Sequence, residues 1–165
     1  MTKIGLLSDT HGHLDPKIFK HFKEVDQIWH AGDIGSLAVI DELRKFKPLK
    51  IVHGNIDDHQ IRQEAPKTAC FYVEDVKVGM IHIAGKPGKY VSDAHEFILA
   101  ERPQIFVCGH SHILLVKNDP KFDMLWLNPG AGGIKGFHQV KTLLRFEIDG
   151  KKIQNMEVIE IGKRA

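Results

Sequence analysis

Apolar runs that stop at polar residues alternate with stretches of helical periodicity at the start of the chain. The run "KIGLLSD" (3–9) predicts a strand, and "DPKIFKHFKEV" (15–25) then sets Ile18, Phe19, Phe22 and Val25 at helical spacing behind an Asp-Pro start. The unit recurs. "QIWHAGD" (27–33) ends in a glycine and a carboxylate, "SLAVIDELRKF" (36–46) carries Leu37, Ile40 and Leu43 on one face behind a serine cap, and "LKIVHGN" (49–55) predicts a third strand. Such alternation predicts a parallel sheet, with ligands gathered outside the carboxyl ends of its strands.

The second half changes character. "CFYVEDVKVGMIHIAG" (70–85), "QIFVCGHSH" (104–112), "ILLVKND" (113–119), "FDMLWLNPG" (122–130), "KTLLRFEIDG" (141–150) and "KKIQNMEVIEI" (151–161) read as strands, with one clear helix, "SDAHEFILAER" (92–102), among them. Asp149-Gly150 is a hairpin signal. These runs predict added antiparallel strands, and hence two packed sheets with helices outside. "AGKPGKY" and "NPGAGGIKG" read as loops, and no repeat or linker divides the chain, so one domain over 1–165 is expected.

Composition narrows the partners. With 165 residues, 42% of them hydrophobic, the chain can bury a sizeable core. A formal charge of +2, with no run of five or six like charges, gives no electrostatic case for a long nucleic acid or an anionic membrane. The apolar start "MTKIGLL" is too short for a secretory signal and no stretch reaches membrane-spanning length, so a cytoplasmic protein is expected. Cys70 and Cys108 each sit in an apolar run and are expected to be small buried hydrophobes.

The candidate chemistry lies where the strands end. In "VCGHSHILL" (107–115) a strand-like run is interrupted by two histidines at i and i+2, which an extended segment projects to one side. Asp9 and His11 follow the first strand, Asp33 the second and Asn55 the third; His82 lies in "GMIHIAG", and His110 and His112 follow "IFVC". Each has an ordinary reading: Asp9 as a loop cap, Asp33 and Asn55 as turn residues beside glycine, His82 as a satisfied core histidine. Seven oxygen and imidazole donors at strand ends that the topology brings to one edge are together a metal constellation. Mixed carboxylate, amide and imidazole donors suit Mn²⁺, Fe²⁺, Zn²⁺, Ni²⁺ or Co²⁺, and the absence of cysteine argues against a thiolate zinc site.

The ordered series "DTHG" (9–12), Gly32-Asp33, "GNID" (54–57), His82, "GHSH" (109–112) and "NPG" (128–130) resembles that of the calcineurin-like metallophosphoesterases, especially their small bacterial and archaeal phosphodiesterase branch. The resemblance implies a four-layer α/β/β/α sandwich of two mixed sheets and a binuclear centre, with Asp9, His11 and His112 on one ion, Asn55, His82 and His110 on the other, and Asp33 bridging. It implies two divalent transition-metal ions, Mn²⁺ foremost, which share a hydroxide that attacks phosphorus, and it counts Asp33, Asn55 and His82 as catalytic as well as ligating. The family commonly continues His-Gly where this chain reads His82-Ile83-Ala84-Gly85, which leaves His53 and His95 as rivals for that place.

The informative departure is Ile56. Many family members have histidine there, able to protonate the leaving group, and the small phosphodiesterase branch often has cysteine; isoleucine can do neither. The expectation is therefore a phosphodiesterase acting on a small-molecule or nucleotide diester, weak on ordinary monoesters, with His13 or His138 as substitute acids or phosphate contacts. Two other readings stand beside it: a monoester phosphatase, and a binding or scaffold protein on the same fold, as in the retromer subunit that resembles this branch. Homo-oligomerisation is left open, since family members of this size often associate.

Overall fold

The computed structural model describes residues 1–164; Ala165, the last residue of the expected 1–165 domain, lies outside the described residues. The elements follow in the order β1 (Thr2–Leu7), α1 (Pro16–His21), β2 (Gln27–His30), α2 (Leu37–Phe46), β3 (Leu49–Ile51), α3 (His59–Glu64), β4 (Thr68–Val73), β5 (Val76–Ile81), β6 (Gly85–Lys86), β7 (Lys89–Tyr90), α4 (Ser92–Glu101), β8 (Ile105–Val107), β9 (Leu115–Asp119), β10 (Met124–Asn128), β11 (Val140–Asp149) and β12 (Lys152–Lys163). They form a four-layer α/β/β/α sandwich. One five-stranded sheet has the order β12-β11-β1-β2-β3, the other β4-β5-β8-β10-β9, and β6 and β7 form a separate ribbon.

The period of two along each strand sorts the layers. On β8, Ile105 and Val107 face the core between the sheets, where they meet Ile4, Leu6, Trp29 and Leu144, while Phe106 points outward to Ile98 of α4 and Trp126. Across the other sheet, Ile18, Ile40, Leu43 and Ile61 of α1 to α3 cover the outer face. β1, β2 and β3 run parallel in register, with Leu6 beside Trp29 and Trp29 beside Lys50, and β11 closes on β1 from the other side, antiparallel.

The centre of the second sheet departs from the antiparallel expectation: β5, β8 and β10 are mutually parallel. The crossover through α4 returns the chain in the same direction, so antiparallel pairing there is confined to the β4–β5 and β9–β10 hairpins. α3 is an addition to the elements expected from the sequence: its only buried residue is Ile61, which leaves no apolar stripe, and its start is fixed by the Asp58 carboxylate, which accepts the Ile61 amide at 3.0 Å. α1 stops at His21, short of the expected 15–25, although Phe22 and Val25 remain buried. Cys108 is buried, but Cys70 is exposed on edge strand β4, contrary to expectation. The Gly-His-Ser-His stretch is not extended: β8 ends at Val107, and His110 and His112 adopt left-handed backbone with φ of 69° and 61°.

Candidate metal centre

Parallel strands point their carboxyl ends the same way, and here that edge collects the polar residues. β1 leads to Asp9 and His11, β2 to Asp33, β3 to Asn55, β5 directly to His82, and β8 to His110 and His112. Asp9, His11, Asp33, His110 and His112 all have φ between 47° and 69°. Left-handed backbone costs a residue with a Cβ roughly 1–2 kcal/mol, least for Asp, Asn and His, and each such turn folds a side chain back over the sheet edge.

Hydrogen bonds between loops hold these turns. The Asp9, His11 and Gly12 amides donate to Gly32, Asp33 and Ile34 carbonyls at 2.9, 3.0 and 2.8 Å, and Gly109 donates to the His82 carbonyl at 3.0 Å. The buried Asp57 carboxylate accepts the amides of Ile34, Gly35 and Gly54 at 3.1, 2.9 and 2.8 Å, tying the loop of Asp33 to that of Asn55. Glycine is required where the loops touch: a Cβ on Gly54 would run into the Asp33 carboxylate, and one on Gly109 into Ser8 Oγ and Asp9 Oδ2.

The two carboxylates sit among imidazoles. Asp9 Oδ2 accepts from Ser8 Oγ at 2.7 Å and from the His110 amide at 3.2 Å, whereas Oδ1 faces the Nε2 atoms of His112, His82 and His11 at 3.2, 3.8 and 3.9 Å. Asp33 lies between the halves of the cluster, with Oδ1 3.3 Å from His82 Nε2 and Oδ2 3.5 Å from His11 Nε2. The donors thus fall into two groups of metal-ligating geometry, Asp9 with His11 and His112, and Asp33 with His82 and His110. Asn55 borders the second group, its Oδ1 accepting His110 Nδ1–H at 3.0 Å.

These residues fit a cation. Asp9 Oδ1, His11 Nε2 and His82 Nε2 are buried with no hydrogen-bond partner, and each such group costs about 1–3 kcal/mol unless satisfied. Neighbouring acceptors leave the imidazole lone pairs facing inward. His82 donates Nδ1–H to the Ala31 carbonyl at 2.7 Å. His138 donates Nε2–H to the Gly133 carbonyl at 2.7 Å, so its Nδ1 is free to accept Nδ1–H of His112 at 3.2 Å. In both rings Nε2 is then the basic atom, the arrangement an outer hydrogen bond imposes on metal-binding histidines.

The remaining expectations are resolved by contacts. His53 uses Nδ1 on the Ala65 carbonyl at 2.9 Å, and His95, on α4, packs edge-on against Phe122, so neither competes for the position of His82. The "NPGAGG" amides are engaged within the fold: Gly132 and Gly133 donate to Ser8 and Asp9 carbonyls, and Gly130 to Asn128 Oδ1. Asn128 in turn braces the histidine turn through Gly109 O and Ser111 Oγ at 3.0 and 3.1 Å. Ser8, Asp57 and Asn128 thus emerge as supports of the site; the available sequence signal was a short polar side chain in the stretches Ser8-Asp9, Gly54–Asp57 and Asn128–Gly130 that follow strand-like runs.

Electrostatics divides the buried groups. Burial alone would push Asp33 up, but the adjacent His82 ring and a hydrogen bond from the Ile56 amide hold it below the usual carboxylate range. Burial works equally against a proton on His82, and the Asp33 and Asp9 carboxylates prevail, raising it above the ordinary imidazole value. His30 goes the other way: burial pushes it down to about 4 despite Asp9 and Asp57. Its neutral ring is fully used, with Nδ1 accepting the Gly32 amide at 3.1 Å and Nε2–H donating to Thr10 Oγ1 at 2.9 Å.

Residues 2–151 match the calcineurin-like phosphoesterase superfamily domain. A probable metallophosphoesterase of Methanothermobacter thermautotrophicus is 30% identical over 164 residues, covering 96% of this chain and 92% of the relative. A predicted phosphoesterase from Streptococcus pneumoniae superposes with a TM-score of 0.73 at 21% identity, over 96% of this chain and 89% of that one. Vps29 of Entamoeba histolytica, crystallised with zinc, gives 0.71 at 17% identity over 99% of both chains.

The His30 environment sets an acid limit on stability. With a folded value near 4 against 6.5 unfolded, the unfolded chain takes up a proton that the folded chain refuses, so stability falls from pH 6.5 to about 4 and then levels, a loss of about 3 kcal/mol from this residue. His82 has the opposite sign, its contribution complete below pH 6.5 and fading as pH rises through its raised folded value. Urea unfolding of metal-free protein across this range should show a slope in the wild type that His30→Gln flattens by up to about 1.4 kcal/mol per pH unit; parallel slopes would contradict the assignment.

Proposed function

The chain belongs to the calcineurin-like phosphoesterase superfamily, and on that premise we propose that it is a metal-dependent phosphodiesterase acting on small-molecule or nucleotide diesters. The observation that carries the metal reading is the set of buried, unpartnered atoms Asp9 Oδ1, His11 Nε2 and His82 Nε2, all turned into one space. In this reading Asp9, His11 and His112 hold one divalent transition-metal ion and Asn55, His82 and His110 the other, with Mn²⁺ foremost. Asp33 serves both, in keeping with its two oxygens facing His11 and His82 separately. Bound there, the ions supply Lewis acidity, lowering the pKa of water and neutralising the phosphoryl oxygens.

The chain's own residues set the geometry and the specificity. Asp33 is kept anionic by the Ile56 amide and the neighbouring His82 ring, and His82 and His112 are fixed by Ala31 O and His138 with Nε2 inward. His82 is protonated more readily than an ordinary imidazole in metal-free protein, so metal must displace that proton and binding weakens as pH falls. Ile56 is 45% exposed beside Asn55 and contributes its backbone amide to Asp33, but its side chain has no proton to give. A leaving group therefore receives no proton from this position, which favours stabilised aryl or similar leaving groups over plain alkoxides. The fold shared with Vps29 supports a scaffold as the second reading, which the retained donor set weighs against.

Metal-stripped protein given back Mn²⁺, Ni²⁺, Zn²⁺ or Mg²⁺ should hydrolyse a bis-aryl phosphate faster than the matching mono-aryl phosphate. Preference for the monoester would make it a phosphatase, and loaded protein without turnover on any phosphoester would favour the scaffold. Asp33→Asn should weaken both ions by more than the 10- to 100-fold typical of an outer-shell partner, read by metal titration. Retention of two tightly bound ions would contradict the shared role. Ile56→His should raise monoester turnover on the order of tenfold, below the ~10²- to 10⁴-fold of a positioned acid; no change would show that protonation is not what limits monoesters.

A further inference from the structure

A cavity of about 300 Å³ opens beside Asn55 and His82, on the side away from the His112 and His138 rings. Ile81, Ile83 and Val91 form its apolar part, and two cations, Arg62 and Lys67, line it together with the Asp93 carboxylate and the His53 ring. The cations differ. Lys67 is paired with Asp93, whereas among the described residues no carboxylate lies within ion-pair distance of Arg62. The guanidinium is instead held from behind: Nε donates to the Asp57 carbonyl at 2.7 Å and Nη2 reaches the Gly54 carbonyl at 3.5 Å, the two ends of the loop that carries Asn55.

That arrangement leaves a cation with unspent donors in a half-apolar cleft next to the candidate metal ligands. Carbonyls on its rear edge restrict the guanidinium without neutralising it, and its planar fork suits the paired oxygens of a carboxylate or phosphoryl group. The cavity is at the small end of ligand sites and is continuous with the metal centre through Asn55 and His82.

We propose that this cleft is a specificity subsite that receives one arm of the ester substrate, an arm with an apolar body and a second anionic group, phosphoryl or carboxylate, held by Arg62. The proposal rests on the phosphoesterase reading for the identity of the first group, the ester phosphate at the metals. Lys67 contributes less, since Asp93 already offsets its charge. The substrate class is thus a phosphodiester that is itself doubly anionic, rather than a neutral-armed diester.

Three probes with one body separate the terms: phenyl phosphate, 4-carboxyphenyl phosphate and 1,4-phenylene bisphosphate, titrated calorimetrically into Mn²⁺-loaded protein. The two doubly functional probes should bind about tenfold tighter than phenyl phosphate, the size of one charge-assisted contact at a partly exposed site, and the larger gain identifies carboxylate or phosphoryl as the preferred group. Arg62→Gln should remove most of that gain while the protein still binds its metals, and Lys67→Met should remove a smaller part. Equal affinity for the three probes, or discrimination undiminished in both variants, would overturn the subsite even if diesters were hydrolysed. Uniform weakening of all three in Arg62→Gln, with Lys67→Met unchanged, would reduce Arg62 to a brace for the Asn55 loop and overturn it too. Arg62-dependent discrimination in a loaded protein that hydrolyses no ester would sustain the subsite and defeat the phosphoesterase reading instead.

Discussion

Two buried carboxylates, Asp9 and Asp33, brought within 4 Å of three imidazole nitrogens are the constraint around which the rest of the molecule is arranged. Two negative charges out of water need compensation, and among the described residues no lysine or arginine pairs with either. The His82 ring offsets part of it, the carboxylates raising its affinity for a proton while it holds Asp33 low, but Asp9 Oδ1 is left without a hydrogen bond. Everything nearby serves to keep the carboxylates where they are: left-handed turns at five positions, glycines where a Cβ would strike a carboxylate oxygen, and Asp57 clamping two loops from below. Strain concentrated in this way is stable only because the two sheets beneath fix the loop ends.

The fold was legible where local and global patterns agreed. The first three strands announce themselves by apolar runs ending in Gly-Asp, Gly-Asn or Ser-Asp, and the parallel register that follows brings those ends to one edge. What escaped was decided by contacts across long sequence separations. The direction of β8 depends on the crossover through α4 and that of β10 on the return through β9, which no strand pattern contains, and α3 is held by a cap and one isoleucine rather than by a stripe. Cys70 misled because an alternating strand at a sheet edge exposes half of its residues whatever their polarity.

At the site, the sequence named donors but not the atoms that aim them. The structure brings Asp9, His11, Asp33, His82, His110 and His112 into two groups with Asn55 at the rim, yet the turn that separates His110 from His112 is left-handed rather than extended. His138, expected as a substitute acid or phosphate contact, instead has both ring nitrogens engaged, and its pairing with His112 was not legible because it spans 26 residues and depends on the Gly133 carbonyl fixing its tautomer. A shared fold leaves function open, since the same sandwich occurs in Vps29; the chemistry here follows from which side-chain atoms are left unsatisfied inside it.

The proposed function requires those unsatisfied atoms to be metal ligands in two neighbouring positions that share Asp33. The most direct measurement is anomalous X-ray diffraction from manganese-soaked crystals, which reports occupancy independently of any substrate. Two anomalous peaks are predicted, one among Asp9, His11 and His112 and one among Asn55, His82 and His110, with a separate Asp33 oxygen or a shared one reaching each. A single peak, peaks away from these residues, or none at concentrations that saturate the protein in solution would contradict it.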